Sequence, residues 1–465
     1  MNLQLQKSTI SNQQSLIKIT GSKSETNRLL LLQALYPNIT LENTSKSDDS
    51  EVMLKALQQS TINNQQSTIV ITGSKSETNR LLLLQALYPN IKLENTSYSD
   101  DSDVMVAALQ QSKINNQKST IINVHHAGTA MRFLTAYFAI QENSEIILTG
   151  STRMKERPIK ILVDALNQLG ASIVYEEKER FPPIKILGKK LSNNKVSLPA
   201  TISSQYISAL LLIAPKLDYG LELNLEGEIT SISYIKMTLA MLNEIGVETS
   251  FINNKIKINQ KSKIVNHKST IESDWSSASY YYSIIALSDV GTKISLSNYK
   301  KDSLQGDASL VEIYKNFGVA TVFNQNSITI SKSAICNLKS FICNLQSSPD
   351  IAQTIAVTCF GLGIECNLSG LHTLKIKETD RLEALKTELS KLGAKISVTN
   401  NSLHLNKSNT ILENVTIKTY QDHRMAMAFA PLALKTSLII ENAEVVSKSY
   451  PTFWEDLKSI GFSIS

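Results

Sequence analysis

The sequence predicts an α/β protein built from about six repeated modules, and three observations carry that prediction. First, five segments repeat an amphipathic helix, a glycine and a short alternating strand: LVDALNQLGASIVYE, MTLAMLNEIGVETSFI, LVEIYKNFGVATVFN, LEALKTELSKLGAKISV and FWEDLKSIGFSIS. In each, leucine and isoleucine at three- and four-residue spacing make one helical face, glycine supplies the left-handed helix end, and period-two apolar residues follow. Second, these glycines, Gly170, Gly246, Gly318, Gly393 and Gly461, are separated by 76, 72, 75 and 68 residues. That spacing is too long for a solenoid repeat of roughly 20 to 50 residues and suits an α/β unit of about 70. Third, Leu16 to Ser67 and Thr68 to Ser119 differ at only nine of 52 positions. Without one of these copies, 413 of the 465 residues remain, close to the length of six modules, so a sixth, less regular module is expected before Gly170 and one copy is supernumerary.

Composition narrows the class. With 42% apolar residues, a chain of this length has enough core for two or three domains. The start, MNLQLQKSTISNQQS, lacks the apolar centre of a signal peptide, and no apolar run approaches the ~20 residues needed to cross a bilayer. A cytoplasmic protein with no membrane partner is expected. The 47 basic and 41 acidic residues are dispersed, which argues against a nucleic-acid surface and suits small anionic substrates. Cys336, Cys343, Cys359 and Cys366 fall within 31 residues, but without CxxC spacing or an intervening histidine, so buried or free thiols are expected and no metal.

Each copy of ITGSKSETNRLLLLQALYP reads as strand, glycine turn and leucine-rich helix, with Ser74 and Glu77 placed for a capping box in the second copy. Free amides at that helix start attract anions, and Lys75, Ser76 and Arg80 add an ammonium, a hydroxyl and a guanidinium. An ordinary capped helix with solvated charges would look the same. HHAGTAMRFLTAYFA places Gly128 and Thr129 at a second helix start with Arg132 in its first turn, although a small-residue turn that allows close packing is the simpler reading. STRMKERPIKILVDAL brings Arg153, Lys155 and Arg157 before a proline, more charge than capping needs, and ISSQYISALLLIAP offers Ser203, Ser204 and Gln205. Four such starts together suggest a pocket for a polyanion. In the carboxyl half, IKETDRLEALKTEL sets Lys377, Glu378 and Arg381 within one expected helical turn, and YQDHRMAMAFAPLAL sets Asp422, His423 and Arg424 before a helix whose methionines read as core. Asp350, in SSPDIAQTIAV, reads as a helix cap.

Taken in order, GSKSETNR, AGTAMR, RMKERP, SSQ, DWSSASY, QGD, PD, KETDRL, DHRMAMAFA and KSYP resemble the 5-enolpyruvylshikimate-3-phosphate (EPSP) synthase family from about Ile69 to Ser465. The resemblance implies a monomeric two-domain inside-out α/β barrel of the enolpyruvyl transferase type, each domain made of three βαβαββ units. The expected division is 1–15 as a strand joining the second domain, 16–67 as the extra copy, 68–271 as the first domain and 272–465 as the second. It also implies transfer of the enolpyruvyl group of phosphoenolpyruvate to the 5-hydroxyl of shikimate 3-phosphate, with release of phosphate and without metal or organic cofactor. Ser203, Ser204, Ser231 and Lys377 would hold the shikimate phosphate, and Ser76, Arg80, Gln205 and Tyr234 would position the ring. Arg153, Arg381, Arg424 and Lys448 would grip phosphoenolpyruvate, with Gly128 allowing close approach and Lys75 touching both substrates. Glu378 matches the proton donor and Asp350 the proton acceptor, with Lys75 assisting.

Three departures are visible: His126 stands where many relatives have asparagine, Phe133 where they have proline, and Thr373 where an asparagine ligand is common. Two alternatives stay open on sequence. A UDP-N-acetylglucosamine enolpyruvyl transferase shares the fold, but its mobile loop typically carries a cysteine and Thr149 to Pro158 has none. A non-catalytic binding relative, disabled by the duplication, would keep the same motifs. Either Lys23, Ser24 and Arg28 or Lys75, Ser76 and Arg80 could fill the site. The direct run from the second copy into AGTAMR favours the latter set.

Overall fold

The computed structural model describes residues 3–5, 15–18, 39–42, 68–114, 120–199, 203–227, 229, 232–261, 267–325, 327–334 and 338–465. Ser231, Cys336 and the first copy's Lys23, Ser24 and Arg28 lie outside the described residues. The chain opens with strands β1 (Leu3–Leu5), β2 (Ser15–Lys18), β3 (Ile39–Glu42) and β4 (Thr68–Ile69), then α1 (Lys75–Leu87), β5 (Ile91–Glu94) and α2 (Asp100–Ile114). A complete module follows: β6 (Thr120–Asn123), α3 (Gly128–Ala139), β7 (Glu145–Thr149), α4 (Lys160–Gln168), β8 (Ser172–Tyr175) and β9 (Ile184–Leu187). Its sheet runs β6-β7-β9-β8, with β6 and β7 parallel and the rest antiparallel. The same βαβαββ order recurs in β10 (Lys195–Pro199), α5 (Ser204–Ile213), β11 (Leu221–Glu226), α6 (Ile232–Glu244), β12 (Thr249–Ile252) and β13 (Lys255–Ile258).

The second half begins after β14 (His267–Thr270), with α7 (Trp275–Leu287), β15 (Lys293–Ser297), α8 (Leu310–Lys315), β16 (Val319–Phe323) and β17 (Ser327–Lys332). Another complete module comprises β18 (Ser340–Asn344), α9 (Ala352–Leu362), β19 (Glu365–Ser369), α10 (Arg381–Lys391), β20 (Ile396–Val398) and β21 (Ser402–Leu405). Last come β22 (Val415–Ile417), α11 (His423–Phe429), β23 (Leu438–Ile440) and α12 (Phe453–Ser459). The module glycines end their helices with positive φ, from 73° at Gly318 to 104° at Gly461, as the repeated pattern requires.

Three modules are assembled from remote pieces of chain. Strand β4 lies parallel to β15, pairing Thr68 with Ser295, so that it supplies the first strand of the β16-β17-β15-β4 sheet. Strand β14 lies parallel to β5, pairing His267 with Ile91, and completes the sixth module with α1 and α2. Strand β1 lies antiparallel to β23 beside β22, which ties the amino terminus to the second half. The two copies of the repeated segment pair differently: in the first, β2 and β3 pair with each other, whereas their counterparts β4 and β5 part to β15 and β14.

Two apolar cores result, one centred on α3 and α5 and the other on α7, α9 and α11. All thirteen residues of α7 are buried, which fits a helix without a charged residue, while strands such as Lys195–Pro199 alternate between exposed and buried. Helices therefore fill the middle of each half and the sheets cover the outside. Ile69 and Ile71 belong to the second core and Ile271 to the first, so the chain passes from one core to the other near Gly73 and near Glu272 to Ser273. The crossings touch: Gly73 and Ser273 form an antiparallel bridge. Among the described residues, no helix is long and apolar enough to cross a membrane.

Candidate active site

A cleft between the halves is lined by Lys75 and Ser76 from α1, Tyr234 from α6, Ser276 from α7, Asp307 and Arg424. Helix α1 starts under Ser74, whose hydroxyl accepts from the Glu77 amide at 3.5 Å. The reciprocal half of the expected capping box is missing. The Glu77 carboxyl group accepts instead from Gln305 Nε2 at 2.9 Å and the Glu272 amide at 3.3 Å, while the Ser74 amide donates to the Glu272 carbonyl at 2.8 Å. The second crossing segment, remote in sequence, takes the partner that local spacing assigned to the cap.

Lys75 points into the cleft, with Nζ 3.1 Å from Asp101 Oδ2 and donating to the Lys448 carbonyl at 3.4 Å. Burial would lower its ammonium, but the carboxylates of Asp101 and Glu378 outweigh that and hold it raised. Arg80 lies beneath, 2% exposed, donating to Thr238 Oγ1 at 2.8 Å, the Ser76 carbonyl at 2.8 Å and Ser208 Oγ at 3.0 Å. Its guanidinium sits 5.4 Å from the Phe133 ring and 5.6 Å from the Tyr234 ring. Phe133, a departure from the family pattern, thus packs under a site arginine. Burial among neutral partners lowers Arg80 to about 10. Ser203 caps α5, Ser204 is buried beside it, and Gln205 Nε2 donates to Thr129 Oγ1 at 3.1 Å. Gly128 begins α3, and a Cβ there would lie 2.6 Å from Arg157 Nη1, so the missing side chain is what admits that guanidinium.

The second half contributes a dense charge network. Arg381, 2% exposed, donates through Nε to Asp422 at 2.6 Å, through Nη1 to Asp350 at 2.8 Å and through Nη2 to Glu378 at 2.7 Å. Asp350 also faces Lys377 Nζ at 3.2 Å, the Tyr234 hydroxyl at 3.3 Å from the other half, and Arg424 Nη2 at 3.7 Å. Against the burial that would raise it, Lys377, Arg424 and Arg381 hold its carboxyl well below the usual range. Glu378 is likewise held low against burial, first by Arg381 and then by Lys75 and Lys377. Burial, followed by the Lys75 ammonium, holds His423 well below the usual imidazole range, so it is neutral at pH 7.

The structure brings together Lys75, Ser76, Arg80, Tyr234, Asp350, Lys377, Glu378, Arg381 and Arg424. Lys377 and Glu378 do not share a helical turn with Arg381 as expected. They precede α10, because Asp380 captures the Leu382 and Glu383 amides at 3.2 Å and starts the helix after them. Arg153 stands apart, with its side chain 61% exposed and paired with Glu156 at 2.9 Å on the single-turn helix Thr152–Lys155. Lys448 Nζ donates to the Gln421 carbonyl at 2.8 Å. Asp101 and Asp307 escape sequence reasoning, whereas Asp422 and Arg157 stand in motifs noted above without an assigned role. Asp101 and Asp422 sit at helix starts, where an acidic residue reads as an ordinary cap, and only the fold turns their carboxylates toward Lys75 and Arg381.

A family model described as EPSP synthase (3-phosphoshikimate 1-carboxyvinyltransferase) matches residues 59–457. The 3-phosphoshikimate 1-carboxyvinyltransferase of Bacteroides fragilis strain YCH46 is 43% identical over 401 residues, covering 85% of this chain and 96% of its own length. The enzyme of the same description from Buchnera aphidicola subsp. Cinara cedri is 36% identical over 422 residues, covering 85% and 95%. Among solved structures, the fold is similar to EPSP synthase from Acinetobacter baumannii, with a TM-score of 0.71 at 20% identity over 86% of this chain and 97% of that one. It is also similar to the enolpyruvyl transferase NikO from Streptomyces tendae, with a TM-score of 0.68 at 13% identity over 87% and 96%.

Proposed function

Since this chain belongs to the EPSP synthase family, we propose that Lys75, Asp350 and Glu378 carry its proton transfers and that the second copy of the repeated segment is the working one. The chain transfers the enolpyruvyl group of phosphoenolpyruvate to the 5-hydroxyl of shikimate 3-phosphate and releases phosphate, a step of the shikimate pathway to chorismate and the aromatic amino acids. The observation that carries the proposal is the meeting of Lys75 and Tyr234 from one half with Asp350, Glu378 and Arg424 from the other across one cleft. Two phosphates and two carboxylates must be brought together, and desolvated cations offset their repulsion while fixing the angle of attack.

In the reaction, a proton adds to the methylene carbon of phosphoenolpyruvate, C2 becomes electrophilic, and the 5-hydroxyl oxygen bonds to it while Asp350 accepts the hydroxyl proton. The resulting tetrahedral intermediate loses a proton from the new methyl group as its C2–O bond to phosphate breaks. Glu378 is held ionised by its cations and must gain a proton before it can donate one. Two polyanionic substrates placed beside the same cations oppose that field and raise the carboxyl's affinity for a proton. The shikimate phosphate is held by Ser203, Ser204, Ser231 and Lys377, and the ring by Ser76, Arg80, Gln205 and Tyr234. Arg424, Arg381 and Lys448 hold phosphoenolpyruvate near Gly128, and Arg153 joins them by leaving its exposed pair with Glu156, which binds it weakly. Both faces of the cleft come from one chain, which suits a cytoplasmic monomer acting on small molecules. The test is phosphate release from the purified chain in a chelating buffer. It should require both substrates, and no release at saturating concentrations would favour a binding protein.

A further inference from the structure

We propose that the turn Gln305-Gly306-Asp307 is a positioning device that couples the seating of Arg424 to contact between the two halves. This rests on the reading that Arg424 grips phosphoenolpyruvate. Each residue of the turn has a separate partner. Gln305 holds the crossing segments: Nε2 donates to Glu77 at 2.9 Å and the Ser273 carbonyl at 3.0 Å, and Oε1 accepts from the Trp275 amide at 3.0 Å. Gly306 lies where the halves touch, since a Cβ there would be 2.7 Å from the Ser347 carbonyl oxygen and 2.8 Å from Ser233 Oγ. Those two groups form a contact between the halves, the Ser233 hydroxyl donating to the Ser347 carbonyl at 3.3 Å.

Asp307, 6% exposed, accepts the Ser276 hydroxyl hydrogen, and Ser276 Oγ in turn accepts from Arg424 Nη2 at 3.2 Å. The serine can serve the arginine as an acceptor because its own hydrogen is committed to the carboxylate. Arg424 is held on its other side by the Asp350 carbonyl at 3.2 Å, so the two contacts fix its plane at the cleft. Capping does not account for Asp307, because α8 starts without a side-chain cap and the carboxylate reaches across to α7 instead. Asp307 thus acts on the substrate through Ser276 and Arg424, and Gly306 beside it registers whether the halves are in contact.

The experiment measures kcat and both KM values for the full chain, Asp307→Asn, Ser276→Ala, the double variant and Gly306→Ala. Each single variant should raise KM for phosphoenolpyruvate by about tenfold, the scale of one charge-assisted hydrogen bond, while KM for shikimate 3-phosphate changes by less than about threefold. The double variant should be no worse than the weaker of its parents, because both break one relay. An unchanged KM for phosphoenolpyruvate, an equal rise in both KM values, or losses that multiply in the double variant would overturn the relay. A parental KM for phosphoenolpyruvate in Gly306→Ala would overturn the coupling to closure. Ser276→Ala decides the question if Asp307→Asn fails to fold. Absence of turnover in the parent would instead refute the assigned reaction.

Discussion

Replacing Asp350 with asparagine tests the centre of the charge network with little change in shape. Arg381 and Lys377 meet Oδ1 at 2.8 and 3.2 Å, and the Tyr234 hydroxyl and Arg424 meet Oδ2 at 3.3 and 3.7 Å. The amide keeps one acceptor, turns an NH2 group toward one of these donor pairs, and removes the charge that balances three cations. Losing one partner of a buried ion pair costs roughly 3 to 5 kcal/mol. Glu378 and Asp422 still hold Arg381, so the lower end applies, about 3 kcal/mol, or roughly 6 to 12 °C in the melting temperature of a half this size. Turnover should fall by at least ~100-fold because the proton acceptor is gone, whereas both KM values should hold or fall in a site made more positive. The pH dependence has a definite sign. A carboxyl held below its ordinary value stabilises the fold above about pH 4 and loses that contribution as pH falls further, so the melting curves of parent and variant should converge in acid. Phosphate release and calorimetry against pH are the assays. Turnover within about threefold of the parent would remove Asp350 from the chemistry, and an unchanged melting temperature at pH 7 would refute the network energetics.

Glu378→Gln should lower turnover by at least ~100-fold with substrate binding largely intact, and near-normal single-turnover rates would exclude it as the acid. Lys75→Ala should abolish most activity and Lys23→Ala should change it little, while the opposite pattern would assign the site to the first copy. Glu77 is pushed up to about 8 by burial and by Glu272, so the folded chain keeps a proton that the unfolded chain releases above about pH 4.5. Parental stability should therefore decline from about pH 4.5 to 8, and Glu77→Gln should flatten that slope by a few kcal/mol in denaturant titrations. Identical slopes would show that Glu77 does not titrate in that range.

The modules were legible because helix face, terminal glycine and alternating strand are local signals, and each of the five glycines does end its helix. Their assembly was not. The exchange of β4 and β14 between halves depends on the registers Thr68 to Ser295 and His267 to Ile91, and nothing within either strand specifies a partner some 200 residues away. The same gap explains the capping box. Ser74 and Glu77 have the right spacing, but Gln305 and Glu272 arrive from elsewhere and take the Glu77 carboxyl group. At the site, residue types and order pointed to cations for a polyanion. The arrangement that makes Arg381 a centre for three carboxylates required the fold, because Asp350 reads locally as a cap and nothing near Asp422 in sequence points to Arg381.

The two copies raise a separate physical question, since 43 of their 52 positions are identical and either could in principle be threaded into the sixth module. Counted as chain length alone, the observed arrangement places 62 residues between β1 and β4 where ten would remain without the extra copy. Loop closure makes that costlier by only about 1.6 kcal/mol. Threading the first copy instead would lengthen the link between α2 and β6 from five residues to 57, at about 2 kcal/mol. The difference, about 0.5 kcal/mol, is too small for closure entropy to choose between the copies. Removing residues 16–67 yields nearly the same chain under either threading, so that deletion should be active and slightly more stable whichever copy works. An inactive or unfolded deletion would refute the six-module architecture itself. The Lys75 and Lys23 variants answer the other question. Because closure is nearly neutral, a large loss in Lys75→Ala alone would mean that the intact first copy cannot replace the second once β4 and β14 have taken their partners.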